Sequence, residues 1–140
     1  MKTIDARQLS SLTLAYIGDA VYELHIREHL ILKGYIKPDK LHHLAIRYVA
    51  ANKQAAVLFK WLEEAFLTDE EISVVKRGRN AKSQSTPKNM SIVDYRHATA
   101  FETLLGFHYL MENQQRLDQL MSSAVHIIEQ ENNRDRRDKS

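Results

Sequence analysis

The amino-acid sequence predicts an all-α fold, for three reasons. Only four glycines and two prolines occur in 140 residues, so few residues would interrupt a helix. Long stretches place apolar residues at the three- and four-residue spacing of a helix. The two-residue alternation of a strand is almost absent. At this length we expect one domain, spanning residues 1–131, followed by a charged, disordered tail at 132–140.

Five helices are predicted, and capping residues mark their ends. Ser10 or Ser11 is suited to cap the first helix, and Gly34 is suited to end it. Pro38 fits the first turn of the second helix, which we expect to be one bent rod. Further caps are Thr68 with Glu71, in a capping-box pattern, and Asp94. The predicted helices span 11–33, 38–66, 69–77, 95–112 and 114–130, with a loop at 78–91.

Composition excludes several classes of protein. The chain has no cysteine, so it can form neither disulfides nor thiolate metal sites. Its N-terminus lacks the apolar core of a signal peptide, and no stretch is apolar and long enough to span a membrane. We therefore expect a soluble, cytoplasmic protein. The net charge of +2 is too small to indicate a nucleic-acid partner by itself.

The stretch Leu12–Leu24 is apolar on nearly every side yet carries a carboxylate, Asp19, at its centre. A helix of this pattern is typically buried, so we expect Asp19 in or beside the core. A buried carboxylate needs a cation, a metal or hydrogen-bond donors. The apolar excess around Tyr16, Ile17, Gly18 and Val21 fits either a central core helix or a dimer interface.

A second stretch, residues 98–111, has the same character and carries Glu102. Gly18 precedes Asp19, and Gly106 lies one turn after Glu102, so each carboxylate has a glycine that would allow close helix packing. Two facing carboxylates are typical ligands of Mg²⁺ or Mn²⁺. Pairing with a nearby cation is the alternative, and the candidates are Arg27, Arg47, Arg96 and His97.

Residues 72–93 contain no acidic side chain but several basic ones. A basic loop of this kind suits the phosphates and 2′-hydroxyls of duplex RNA, although an ordinary solvated surface loop has a similar composition. The candidate RNA-binding residues are Lys76, Arg77, Arg79, Asn80, Lys82, Ser85 and Lys88.

Three segments together resemble Mini-ribonuclease III, the short bacterial relatives of ribonuclease III. They are AYIGDAVYE at 15–23, RGRNAKSQSTPKN at 77–89 and YRHATAFETLLGFHYL at 95–110. Their order and spacing match over nearly the whole chain. The resemblance implies a ribonuclease III-like domain of about five to seven helices that forms a two-fold dimer.

The resemblance also implies an activity: Mg²⁺-dependent cleavage of double-stranded RNA by metal-activated water, with Mn²⁺ able to substitute. The expected substrate is the precursor of large-subunit (23S) ribosomal RNA, and a ribosomal protein is considered as a further partner. Asp19 and Glu102 would be the catalytic metal ligands, with Glu23 and Thr99 just outside them. The larger enzymes carry acidic residues where this chain has Leu12, Ala15 and Thr99, so we expect fewer protein ligands here.

Two other functions are alternatives to this one. A catalytically inactive dimer could bind structured RNA or the ribosome, but it would have no need for two paired carboxylates. A helical Mg²⁺-dependent nucleotide pyrophosphatase would need a cluster of acids on one helix face, which the sequence does not show.

Overall fold

The computed structural model describes residues 4–81 and 86–138, and the side chains of those residues up to 135. Within these ranges the chain forms helices and no strands, as the sequence predicts. A short 3₁₀ helix spans Ala6–Gln8. Six α-helices follow: α1 Ser11–Leu32, α2 Pro38–Val49, α3 Ala51–Glu63, α4 Asp69–Arg79, α5 Ile92–Leu110 and α6 Gln114–Asp138.

Helix α1 begins and ends as its sequence predicts. The Ser10 hydroxyl accepts a hydrogen bond from the Thr13 backbone N–H at 3.2 Å, which satisfies one of the free donors of the first turn. After the helix, Gly34 adopts a φ of 105°, a left-handed conformation that glycine tolerates best.

The predicted single rod from Pro38 to residue 66 is wrong, because the structure divides it into α2 and α3. The chain breaks at Ala50, whose ψ of 145° is extended rather than helical. Neither proline nor glycine lies at this break. Ala50 and Ala51 favour a helix by their own propensity, so tertiary packing has overridden that local preference. The buried Gln54 amide donates to the Val49 carbonyl at the break.

The remaining helices differ from prediction mainly at their ends. The capping box of Thr68 and Glu71 is present at α4, which continues two residues past the predicted Arg77. Helix α5 starts at Ile92 because the Ser91 hydroxyl, rather than Asp94, accepts the capping hydrogen bond. Helix α6 continues through residues 132–138, where a disordered tail was expected, because adding a turn to an existing helix costs little.

Helix α5 is the central element of the fold and packs against α1, α3 and α4. Phe101, Leu104, Leu105 and Phe107 are fully buried. The Trp61 ring stacks on Phe101 at 5.4 Å between ring centroids, and Tyr22 meets the same ring edge-on at 4.9 Å. These contacts fix the position of α1 and α3 on either side of α5. No described helix has the length and apolar character needed to cross a membrane.

Candidate active site

Helices α1 and α5 cross with almost no space between their backbones. A Cβ atom added to Gly18 would lie 1.8 Å from the Glu102 carbonyl oxygen, and one added to Gly106 would lie 1.9 Å from the Leu14 carbonyl oxygen. No other amino acid fits at either position without separating the helices. The prediction that these glycines permit a close helix contact is therefore confirmed.

This crossing brings the carboxyl groups of Asp19 and Glu102 together. Burial, together with the hydrogen bond and negative charge of Asp19, raises the pKa of Glu102 to about 9. The Gln54 amide opposes this shift. A carboxyl group with a pKa raised this far keeps its proton at neutral pH unless a cation takes its place.

Asp19 itself is exposed, so of the two expected positions, in the core or beside it, only the second agrees with the structure. The apolar residues around α1 divide into two sets. One set, including Leu14, Tyr22 and Ile26, is buried against the rest of the domain. The other stays on the surface, where Tyr16 is 83% and Leu24 67% exposed. The all-round apolar pattern thus reflects two different faces rather than full burial.

The candidate counter-ions do not neutralise this pair. Arg27 Nε lies 3.7 Å from Glu23 Oε2, one turn along the same helix, and His97 Nδ1 lies 2.7 Å from the Val93 carbonyl oxygen. In residues 4–81 and 86–135, no salt bridge joins Asp19 or Glu102 to a Lys, Arg or His side chain. Glu23 instead forms the local ion pair that an exposed helix charge commonly makes.

The two carboxyl groups are suited to one divalent cation rather than to a full protein cage. Oxygen ligands are those that Mg²⁺ and Mn²⁺ prefer, and Mg²⁺ usually keeps several water ligands. Among the described residues, no set of three or more His, Asp or Glu side chains is arranged to hold a metal. The Thr99 hydroxyl donates to the Tyr95 carbonyl at 3.0 Å.

Sequence reasoning missed Gln54 of α3, whose amide lowers the pKa of Glu102. Gln54 is 2% exposed, and its Nε2 donates to the Val49 carbonyl oxygen at 3.2 Å. The only signal in the sequence that could have singled out Gln54 is a glutamine among the apolar residues of a predicted helix. Its relation to Glu102 depends on the break between α2 and α3, which the sequence does not predict.

The basic candidate residues begin in the last turn of α4 instead of in a loop. Lys76 and Arg77 are exposed, and between Arg77 and Arg79 Gly78 packs against Ala100 and Thr103 of α5. A Cβ atom on Gly78 would lie 2.8 Å from Thr103 Oγ1. This contact places the basic turn beside the α5 segment that carries Glu102. Arg79 Nε donates to Asn80 Oδ1 at 3.4 Å. Lys88 is exposed. The other two candidates, Lys82 and Ser85, lie outside the described residues.

The sequence and fold match one family of helical nucleases. The family model for the Ribonuclease III domain matches residues 12–113, which include both carboxylates and the basic turn. A crystal structure of protein FN1578 from Fusobacterium nucleatum has a similar fold, with a TM-score of 0.76 and 29% sequence identity. That match covers 87% of this chain and 96% of the other.

Similarity to named relatives shows to which group of the family the chain belongs. The chain is 49% identical to Mini-ribonuclease 3 of Brevibacillus brevis over 92% of this chain and 95% of the relative. It is 44% identical to Mini-ribonuclease 3 of Streptococcus pneumoniae over 90% and 98%. The chain therefore belongs to the ribonuclease III family, within its Mini-ribonuclease 3 group, and is an endoribonuclease of the ribonuclease III type.

Proposed function

We propose that this protein cleaves double-stranded RNA with a divalent cation, Mg²⁺ or Mn²⁺, held by Asp19 and Glu102. The observation that carries the proposal is the meeting of these two carboxyl groups at the α1–α5 crossing, with no salt bridge to them from a cationic side chain in the described part of the chain. The proposed substrate is a precursor of large-subunit (23S) ribosomal RNA, with the reaction taking place in the cytoplasm. A ribosomal protein is included as a further proposed partner.

The site residues have distinct tasks in this mechanism. Asp19 is exposed and Glu102 is half-buried, so the pair opens towards solvent, where a phosphodiester can approach. A bound divalent cation supplies a positioned, more acidic water and relieves charge on the phosphate. The rigid glycine contacts hold the two carboxylates in fixed positions, which lowers the cost of ordering them during the reaction.

The basic turn of α4 supplies the contacts to the RNA backbone. Lys76 and Arg77 are exposed on this turn, and Gly78 anchors the turn to α5 close to Glu102. Duplex RNA presents phosphates and 2′-hydroxyls along its shallow minor groove, so positive charge beside the carboxylates would hold a phosphate near them. Lys82, Ser85 and Lys88 extend the proposed RNA-binding stretch beyond the helix.

A two-fold dimer is part of the proposal, because the exposed face of α1 is unusually apolar. Tyr16 and Leu24 are strongly exposed, and Ile17 and Val21 are half-buried between them. Gly18, for which the sequence left a core position and an interface position open, is covered by α5. Burying this apolar face against a second copy would remove it from water and give one active site for each strand of a duplex.

The test compares a long RNA duplex with its separate strands, in Mg²⁺ and in EDTA. We expect cleavage of the duplex only, and only with the metal. Asp19→Asn and Glu102→Gln should abolish cleavage while duplex binding persists. The matched control is Glu28→Gln, which removes an exposed carboxylate from the same helix and should leave cleavage unchanged. Wild-type turnover in either site variant would contradict the assignment, and RNA binding without any cleavage would indicate an inactive binding protein.

A further inference from the structure

Two aromatic rings pack together on the surface where α3 lies against α5. The ring centroids of Phe59 and His97 are 4.3 Å apart, and the ring planes are 33° from parallel. His97 Nδ1 donates to the Val93 carbonyl oxygen at 2.7 Å, which holds the imidazole in one orientation. Phe59 stays 41% exposed and Val93 54% exposed. These three residues form an aromatic patch, a fixed apolar surface that a ligand can reach.

The packing of the core does not account for the exposed ring of Phe59. Helix α3 is already attached to α5 by Trp61, which is buried and stacks on Phe101 at 5.4 Å. A single exposed aromatic side chain is common and needs no function. Phe59 differs because a second ring supports it from the neighbouring helix and a hydrogen bond holds that ring in place. Exposed aromatic rings are the surfaces on which proteins stack nucleobases.

The aromatic patch lies near the carboxylate pair along α5. His97 precedes Glu102 by five residues, which is about 7.5 Å along the helix axis at 1.5 Å per residue. A stacked nucleic-acid strand rises roughly 3 Å per nucleotide. A strand that is cut at Glu102 would therefore bring a base about two or three nucleotides from the cut to the level of the patch.

Positive charge continues from the basic turn of α4 to the aromatic patch. Residues 72–93 contain no acidic side chain, and the last of their lysines, Lys88, lies three residues before the Ser91 cap of α5. Lys88 and Arg96 are exposed, and Arg96 is adjacent to His97 in the chain. The charge leading to the aromatic rings thus favours an anionic nucleic-acid strand as the partner.

We propose that Phe59 and His97 form a stacking site for one unpaired nucleobase of the RNA substrate, close to the cut. This inference rests on the proposed function. A base inside a continuous duplex is stacked on both sides, so an aromatic surface can receive only a base that is bulged, flipped out or at an end. The aromatic patch therefore makes the enzyme prefer a duplex with an unpaired nucleotide near the cleavage position to an uninterrupted one.

The experiment compares two RNA duplexes of the same sequence that contain a mapped cleavage site. One is continuous, and the other carries a single bulged 5-iodouridine about two or three nucleotides from the cut, on either side in turn. On irradiation, 5-iodouridine crosslinks to an aromatic ring that is stacked on it. In EDTA, where no cleavage is expected, the crosslink should map to Phe59 or His97.

Affinity gives a second measurement on the same two duplexes. Phe59→Leu keeps an apolar side chain but removes the ring. It should bind the bulged duplex at least about 5-fold more weakly than the wild type does, the smallest loss typical of one base–aromatic stack. Its affinity for the continuous duplex should be unchanged. Phe59→Trp keeps an aromatic face and should retain the wild-type affinity for both duplexes.

The matched control is Tyr35→Leu, which removes an aromatic side chain 38% exposed in the α1–α2 connection and should change neither affinity. Crosslinks only to other residues, or no selective loss for the bulged duplex in Phe59→Leu, would overturn the inference while metal-dependent duplex cleavage keeps the proposed function intact. The same results are expected if the aromatic patch binds a protein instead. Absence of metal-dependent duplex cleavage in the wild type would overturn both.

Discussion

His108 Nε2 lies 2.6 Å from Glu71 Oε2, and the two side chains are only 5% and 2% exposed. Asn113 Nδ2 lies 3.1 Å from His108 Nδ1, so Nδ1 accepts and Nε2 carries the proton that is donated to Glu71. Arg116 donates to both oxygens of Glu71 at 2.8 Å. This cluster joins the start of α4 to the turn between α5 and α6.

We predict that Glu71→Ala destabilises the protein by about 3 kcal/mol or more, because it leaves His108 and Arg116 without their buried partner. The matched control is Glu70→Ala. Glu70 is exposed and pairs with the exposed Arg7 at 3.0 Å, so its loss should cost about 0–1 kcal/mol. Urea unfolding measures both values. Equal losses in the two variants would contradict a special role for the buried cluster.

Low pH should also destabilise the protein, because Glu71 then becomes protonated. Burial alone would raise the pKa of Glu71, but hydrogen bonds from Arg116, His108 and the Thr68 backbone lower it well below its ordinary value of 4.5. A carboxyl group with a lowered folded-state pKa stabilises the fold above its unfolded-state pKa and loses that contribution as the pH falls. Stability should therefore decline below about pH 4.5, and less steeply in Glu71→Gln.

Glu102 should give the opposite pH dependence when no metal is present. Its pKa is raised to about 9 from an ordinary value of 4.5, so the folded state binds an extra proton between these values. In EDTA, its contribution to stability should be complete below about pH 4.5 and should disappear as the pH rises towards 9. Glu102→Gln should remove this decline in urea-unfolding experiments. Identical pH profiles for the variant and the wild type would contradict the paired-carboxyl geometry.

The glycines at the α1–α5 and α4–α5 contacts should differ in their tolerance of a methyl group. At Gly18 and Gly106 an added Cβ meets a backbone carbonyl below 2 Å, whereas at Gly78 it first meets the Thr103 side chain at 2.8 Å. Overpacking typically costs about 1–3 kcal/mol. We expect Gly18→Ala and Gly106→Ala to reach or exceed the upper end of that range, with loss of cleavage, and Gly78→Ala to cost less. Thermal unfolding and the cleavage assay measure this order.

Salt dependence should identify the RNA-binding charges on α4. Each phosphate contact contributes about 0.9 to the negative slope of log affinity against log salt for a duplex. We expect the double variant Lys76→Gln and Arg77→Gln to reduce that slope by about 2 and to weaken binding at low salt. Lys40→Gln removes an exposed charge from α2 and serves as the control. An unchanged slope in the double variant would exclude this turn from the RNA interface.

The apolar face of α1 should determine the oligomeric state. A charged side chain buried in an apolar interface is costly, so Tyr16→Glu combined with Leu24→Glu should give a monomer. Ile36→Glu, at a residue 79% exposed in the α1–α2 connection, is the control and should leave the mass unchanged. Light scattering at micromolar concentration measures this. A wild-type protein that is already a monomer would contradict the dimer proposal.

Much of the fold could be predicted because its signals are local. The serine cap of α1, the capping box of α4 and the glycine after α1 each act through a few neighbouring residues. The break at Ala50 could not be predicted, since no residue there opposes a helix and packing alone imposes the extended ψ. The exposure of Asp19 was also missed. An apolar pattern around a helix does not show which of its sides the rest of the domain covers.

The residues that bear the chemistry could be identified from the amino-acid order: a carboxylate with a glycine within one turn on each of two apolar helices, and a run of basic residues that begins at the end of the third predicted helix. Which of these side chains come into contact depends on the tertiary packing of the helices. The crossing of α1 and α5 brings Asp19 to Glu102 across 83 positions of sequence, and Gln54 is buried beside the α2–α3 break. The physical reason is that periodicity specifies the face of a helix, whereas backbone approach and burial depend on all the helices packed around it.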